Sequence, residues 1–293
     1  MIAGMSDYPL ALNHCGVEYL AVLDNVCLAT TLSLPAQTQI PVTLEADNRT
    51  GGWRIRSMFG TVGWLDADES AEYPALERVR DAGITVSTTA VVDLDDVAVN
   101  IGLAPWQIAV NNQPEGTVVL NGGVPAALDI SMSDDVNAAQ ITALGTACVF
   151  VQLHHIAGAI VVTVDDSVLG VLGAVTDFGV LTQLLAQAPI AARAYIAGGM
   201  VAVDLPADPD NLFAPSVPPL PALADAPLLP QPTYSGNVDA ELSFDPSDYL
   251  LPAKASKPAS QRFITHQIFD DTPATEAFQA LLRGEDPEAP EED

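Results

Sequence analysis

Five of the chain's ten basic residues fall between positions 49 and 80, and three of them, Arg49, Arg54 and Arg56, keep company with Asn48, Trp53 and Trp64. Guanidinium groups beside indole rings and a carboxamide do not make or break covalent bonds. They hold anions and flat groups by charge, forked hydrogen bonds and stacking. The i, i+2 spacing of Arg54 and Arg56 puts both on one face of a strand. These six residues form the candidate ligand-binding groove. Their ordinary reading is structural: Trp53 and Trp64 as core or edge aromatics, and the arginines paired with Glu45, Asp47, Asp66 and Asp68.

Residue sets for catalysis are missing. The chain has no phosphate-binding loop, dinucleotide fingerprint, Gly-x-Ser-x-Gly elbow or His-Glu-x-x-His motif. His154 and His155 are adjacent, so on a strand they face opposite ways and cannot share a metal; a turn location is the preferred reading. Asp95-Asp96 and Asp165-Asp166 are read as turn formers. No catalytic residue, metal or cofactor is expected. A second recognition element lies near the C-terminus. Thr272 can cap a helix, Pro273 suits its first position, Phe278, Leu281 and Leu282 make an i, i+3, i+4 apolar edge, and Gly284 can end it. Such a helix either docks a partner or packs on its own domains.

The elements that position the groove repeat at about 105 residues. Ile40–Glu45, Trp53–Arg56 and Thr61–Leu65 match Val149–Leu153, Ile160–Val164 and Val168–Leu172 as strands, with Gly63 against Gly170. Helix-compatible stretches follow at 69–82 and 175–187. Two further strands follow each, Ile84–Val92 with Val97–Ile101 and Ile190–Ile196 with Met200–Leu205, and Val97-Ala-Val-Asn-Ile101 is set against Val201-Ala-Val-Asp-Leu205. Tyr73, Leu76, Val79 and Arg80 share one helix face, and Gly83 is placed to stop the helix. The second helix, with Phe178, Val180, Leu181, Leu184 and Leu185, is apolar enough to be buried on more than one side, against the first domain.

Length allows two domains and a tail. Acids outnumber bases by 38 to 10 for a net charge of −28, spread as −9 over residues 1–105, −7 over 106–206 and −12 over 207–293. That field repels phosphate backbones and anionic membranes, so nucleic acid is a disfavoured partner, and no apolar run reaches the ~18 residues needed to cross a bilayer. Three cysteines, Cys15, Cys27 and Cys148, make neither an even set nor a CxxC pair. With no basic leader and apolar core at the N-terminus, the expectation is free thiols in a cytoplasmic protein. Residues 207–271 read as a Pro-rich acidic linker, and 272–293 as a short helix and acidic end.

Glu45-Ala-Asp-Asn48, the strand Val62-Gly-Trp-Leu65 and the helix with Ala71, Tyr73-Pro74 and Leu76 follow the order seen in HIRAN-like domains, particularly those of actinobacterial proteins, and residues 17–103 resemble that family. Residues 117–206 keep the skeleton, but His154-His155-Ile-Ala-Gly158 stands where the acidic-Asp-Asn turn would be, so the second copy is degenerate. The resemblance implies small SH3-like β-barrels, each with a helix. It also implies, for the first copy, a pocket for the 3′ end of single-stranded DNA built on the Arg/Trp groove.

The expectation is thus a mainly β (α+β) chain of two tandem SH3-like barrels, residues 1–105 and 106–206, with a largely disordered tail. Its expected function is that of a non-enzymatic adaptor, binding protein partners with basic or apolar grooves through the barrels and the helix at 272–284. DNA-end sensing is the alternative.

Overall fold

The computed structural model describes residues 7–10, 13–14, 17–18, 20–23, 25–34, 39–93, 98–132, 145–165, 167–173 and 178–221. The expected docking helix with Phe278, Leu281 and Leu282 lies outside them, as do Cys15, Asp95, Asp96 and Asp166. The chain is mainly β, as expected, and forms two small barrels.

The first comprises β1 (Asp7–Pro9), β2 (Asn13–His14), β3 (Val17–Glu18), β4 (Ala21–Val22), β5 (Asn25–Val26), α1 (Leu28–Thr31), β6 (Gln39–Asp47), β7 (Gly52–Ser57), β8 (Gly60–Leu65), α2 (Ala67–Ser70), α3 (Ala75–Asp81), β9 (Thr85–Asp93) and β10 (Ala98–Ile101). The sheet runs β4-β10-β9-β6-β7-β8-β5, with β1 parallel on β9, while β2 and β3 pair separately. β4 and β5 are successive pieces of one bent segment, which joins the sheet's two ends. The second barrel has β11 (Val118–Val119), β12 (Gly123–Asp129), a 3-10 turn (Ile130–Met132), β13 (Ala147–Ile156), β14 (Ala159–Val164), β15 (Ser167–Leu172), α4 (Phe178–Leu185), β16 (Ile190–Ala197) and β17 (Met200–Pro206). Here β12 alone does the work of β4 and β5, pairing with both β17 and β15, and β16–β17 pairing completes the ring.

The duplication is visible rung by rung. Val86, Leu44, Ile55 and Gly63 lie across four neighbouring strands of the first barrel. Ile190, Leu153, Val162 and Gly170 do the same in the second. Both meanders carry one bulge at the same place, after Ile55 and after Val162. The two glycines mark the closure. A Cβ on Gly63 would lie 2.5 Å from the Asn25 carbonyl oxygen, and one on Gly170 2.3 Å from that of Asp129, so only hydrogen fits where the closing strand crosses.

Three readings of the elements need correction. Val92 pairs with Val99 and Ile196 with Val201, so Val99 rather than Val97 is the counterpart of Val201. The physical reason is the turn: residues 94–97 separate Asp93 from Ala98, whereas only Gly198 and Gly199 separate Ala197 from Met200. The 69–82 stretch is two helices, because Asp66 and Glu69 close a capping box that starts α2 early and the segment restarts after Pro74. Finally, α4 buries Leu181 but leaves Val180 46% exposed, so a sheet face rather than this helix meets the first barrel.

That sheet face belongs to β13 and β16. Val149, Val151, Leu153, Ile190, Ala192, Ala194 and Ile196 fill the second barrel's interior. The alternate residues, Cys148, Phe150, Ala191 and Tyr195, join the first barrel's core instead. Trp106 meets Tyr195 edge to face at 5.3 Å between centroids. Tyr8 is buried there and hydrogen-bonds the Ala109 backbone; burial first, and the Cys148 thiol second, push its phenol up to about 12. Arg78, buried on α3, donates Nη1 to the Ala109 carbonyl and Nε to that of Pro221 at 2.8 Å.

Residues 207–221, the start of the expected linker, are therefore docked. Val217 and Leu220 are buried. Asn112 and Leu220 exchange two 2.9 Å bonds, and Asn121 Nδ2 donates to Asn211. One antiparallel bridge, Leu120 with Phe213, and these side-chain amides together satisfy an extended, proline-broken backbone. Among the described residues, no helix is long and apolar enough to cross a membrane.

Candidate functional site

The groove residues sit on β6, β7, β8 and the turn between the first two. β7 alternates: Trp53 and Ile55 point inward and are 0% exposed, while Arg54 and Arg56 point outward as their spacing requires. Arg54 lies directly across from Trp64, and Arg56 from Thr61. Trp64 is 39% exposed, because β8 turns Val62 and Leu65 to the core and the indole to solvent. Arg49 and Asn48 occupy the exposed turn that joins β6 to β7. The structure thus gathers Arg54, Arg56 and Trp64 on one outer face, with Arg49 in the turn that leads into it.

Trp53 is not part of it. Its Nε1 donates to Ser70 Oγ at 3.1 Å inside the barrel, and Arg80 covers its ring at 5.3 Å. Arg80 also donates to the carbonyl of Gly51 and to Glu77 Oε1, the latter at 2.7 Å, tying α3 to the turn. The five bases between 49 and 80 therefore divide by job: Arg78 and Arg80 hold the fold, and Arg49, Arg54 and Arg56 face water.

Acids temper that face without neutralising it tightly. Arg56 Nη1 is 3.5 Å from Glu45 Oε1, and Arg54 Nη2 is 3.9 Å from Asp47 Oδ2. Exposed pairs at such distances contribute under about 1 kcal/mol and exchange readily with other anions. Asp47 is chiefly a turn residue. The Arg49 amide donates to its carboxylate at 3.0 Å, and that bond, ahead of contributions from Thr50 and Arg54, holds the carboxyl below its usual range.

Apolar residues that the sequence reading passed over extend the face at its far end. Met58 and Phe59 form the two-residue tip between β7 and β8, 88% and 51% exposed. The tip stands beside α1, since a Cβ on Gly60 would approach Thr30 Oγ1 to 3.7 Å. Leu28 and Leu32, also exposed, sit four residues apart at that helix. The signal was available: Ser57-Met-Phe-Gly60 puts two large apolar residues at a hairpin turn, where short polar residues are the rule.

The second barrel has no equivalent. His154 and His155 are strand residues on β13, not turn residues, because the turn is Ala157-Gly158 with φ of 52° and 83°. It is two residues long against four in the first barrel, so nothing stands where Asn48 and Arg49 do. His154 Nε2 lies 2.9 Å from Thr163 Oγ1. Cys27 and Cys148 are free thiols, and burial pushes Cys148 up to about 12. Among the described residues no three His, Cys, Asp or Glu side chains come together as a metal site.

Compared with known proteins, the chain matches no family model, no curated sequence and no solved structure. The HIRAN-like resemblance rests on the motif residues alone.

Proposed function

We propose that the protein is a non-enzymatic adaptor whose recognition surface is the outer face of the first barrel. One observation carries the reading: in a chain of net charge −28, the outward Arg54 and Arg56, the exposed turn residue Arg49, an exposed indole and an exposed Met-Phe tip all lie on the one β6–β7–β8 meander. Arginine and aromatic side chains at a surface are the usual anchors of protein partners, and an acidic surround favours selectivity for a partner that brings both carboxylates and apolar side chains. The second barrel supports this face by fixing the first through the Tyr8–Arg78–Phe150 interface. The C-terminal segment 272–284 supplies a second docking element.

The test is co-purification from the native host with the full chain and with the variant Arg54→Glu/Arg56→Glu/Met58→Ser. At least one partner should be lost from the variant while its melting temperature is unchanged. An identical partner set would sink the reading. DNA-end sensing retains one favourable feature, the direct Arg54–Trp64 juxtaposition, which suits stacking of a terminal base. Fluorescence anisotropy at low salt, with single strands bearing free or blocked 3′ ends, separates it from the adaptor reading; equal or absent binding excludes it.

A further inference from the structure

The face has two halves with different chemistry, apolar at the Met58-Phe59 tip and cationic along Arg56, Arg54 and Arg49. A matching occupant needs an apolar anchor followed by a run of carboxylates. The chain itself carries that sequence. Phe278, Leu281 and Leu282 have the i, i+3, i+4 spacing of an apolar helix edge, and the nine residues after Gly284 hold six acids. At about 3.3 Å per residue, the nine-residue run has contour to spare for the length of β7.

Reach is equally favourable. The last described residue, Pro221, is held by Arg78 on α3 of this same barrel. Residues 222–271 then intervene, with a contour length on the order of 150 Å, several times the barrel's width. The general field of the molecule repels an acidic tail, so the cationic strip is the place on the first barrel where the tail meets attraction.

We infer that residues 272–293 dock on this face of their own molecule, with Phe278, Leu281 and Leu282 on Met58 and Phe59 and the acidic run along Arg56, Arg54 and Arg49, beside Trp64. The inference rests on the proposed recognition surface and adds its regulation: the tail is an internal competitor that an acidic, apolar partner must displace. Tethering gives an effective concentration near the millimolar range, so even a weak contact is occupied most of the time.

Trp64 reports the contact, because Trp53 and Trp106 are buried. The experiment is acrylamide quenching of tryptophan emission in the full chain, with Trp64→Phe to assign the signal. Phe278→Asp/Leu281→Asp/Leu282→Asp should raise the quenching constant roughly twofold, Arg54→Glu/Arg56→Glu should do the same, and the combined variant should add nothing further. Quenching equal to the parent in both variants overturns the inference. So does quenching that depends on protein concentration, which would assign the contact to a second copy. Equal quenching together with loss of partners from the arginine variant would remove tail docking and leave the adaptor reading standing. The reverse pattern would remove the adaptor reading alone.

Discussion

The same patch of sheet does opposite things in the two barrels. In the first, Pro41 pairs with Thr89 and Gln39 with Val91 on the outer side of β6 and β9, and Gln39 and Pro41 are exposed. In the second, the corresponding pairs are Phe150 with Arg193 and Cys148 with Tyr195, all buried against the first barrel, with the Arg193 guanidinium 5.5 Å from the Phe150 ring. A duplicated skeleton thus has one copy whose outer sheet face makes the interface and one copy that leaves Gln39 and Pro41 exposed at the corresponding place.

The largest test of that contrast is Phe150→Ala against Pro41→Ala. The first should cost about 4 kcal/mol in urea denaturation and the second under about 0.5, since only Phe150 leaves a cavity. Similar small values for both would mean the interface contributes little. Where the barrels agree, substitutions should agree too: Leu44→Ala and Leu153→Ala occupy one rung and should each cost about 3 kcal/mol. Gly63→Ala and Gly170→Ala should each cost about 2 kcal/mol, because the added methyl meets backbone that must move. A cost at one closure only would show that the two rings are not shut in the same way.

Alkaline pH sharpens the comparison from the interface side. Tyr8 and Cys148 are raised to about 12 from 10.0 and 9.0, mainly by burial. Above pH 9 the unfolded chain loses the thiol proton before the folded one does, and above 10 the phenol proton. The unfolded state then binds fewer protons, so stability is full below pH 9 and falls towards pH 12, by about 1.4 kcal/mol per unit for each group. Cys148→Ala should delay the onset by roughly one pH unit, read from urea midpoints across that range. The smallest effect is expected at the arginine face: Glu45→Gln should change stability by under about 0.5 kcal/mol, since the pair with Arg56 is exposed. A larger loss on thermal melting would make the strip structural.

Much of this was written locally. β9 reads Thr-Val-Ser-Thr-Thr-Ala-Val-Val-Asp, an alternation that buries one face and wets the other, and β16 reads Ile-Ala-Ala-Arg-Ala-Tyr-Ile-Ala, an apolar run that buries both. Strand positions, the Gly63 and Gly170 anchors and the outward pair Arg54 and Arg56 follow from such patterns, because period two and a missing Cβ are properties of a few adjacent residues. Trp53 shows where local reading stops: its neighbours Arg54 and Arg56 are exposed, and only the strand's inward phase and the Ser70 hydroxyl decide that its indole is not. The Met58-Phe59 tip was equally visible as residues, but its exposure depends on α1 standing beside it rather than over it.

The amino-acid sequence by itself determined the duplicated β skeleton, its closures and the cationic strip, since each depends on spacing within one repeat. Tertiary structure alone decided that Arg78 is taken up by the Ala109 and Pro221 carbonyls, and that β13 and β16 supply the seam. Those outcomes depend on which surfaces two folded barrels bury between them, a contest of burial over contacts a hundred residues apart that no local pattern encodes.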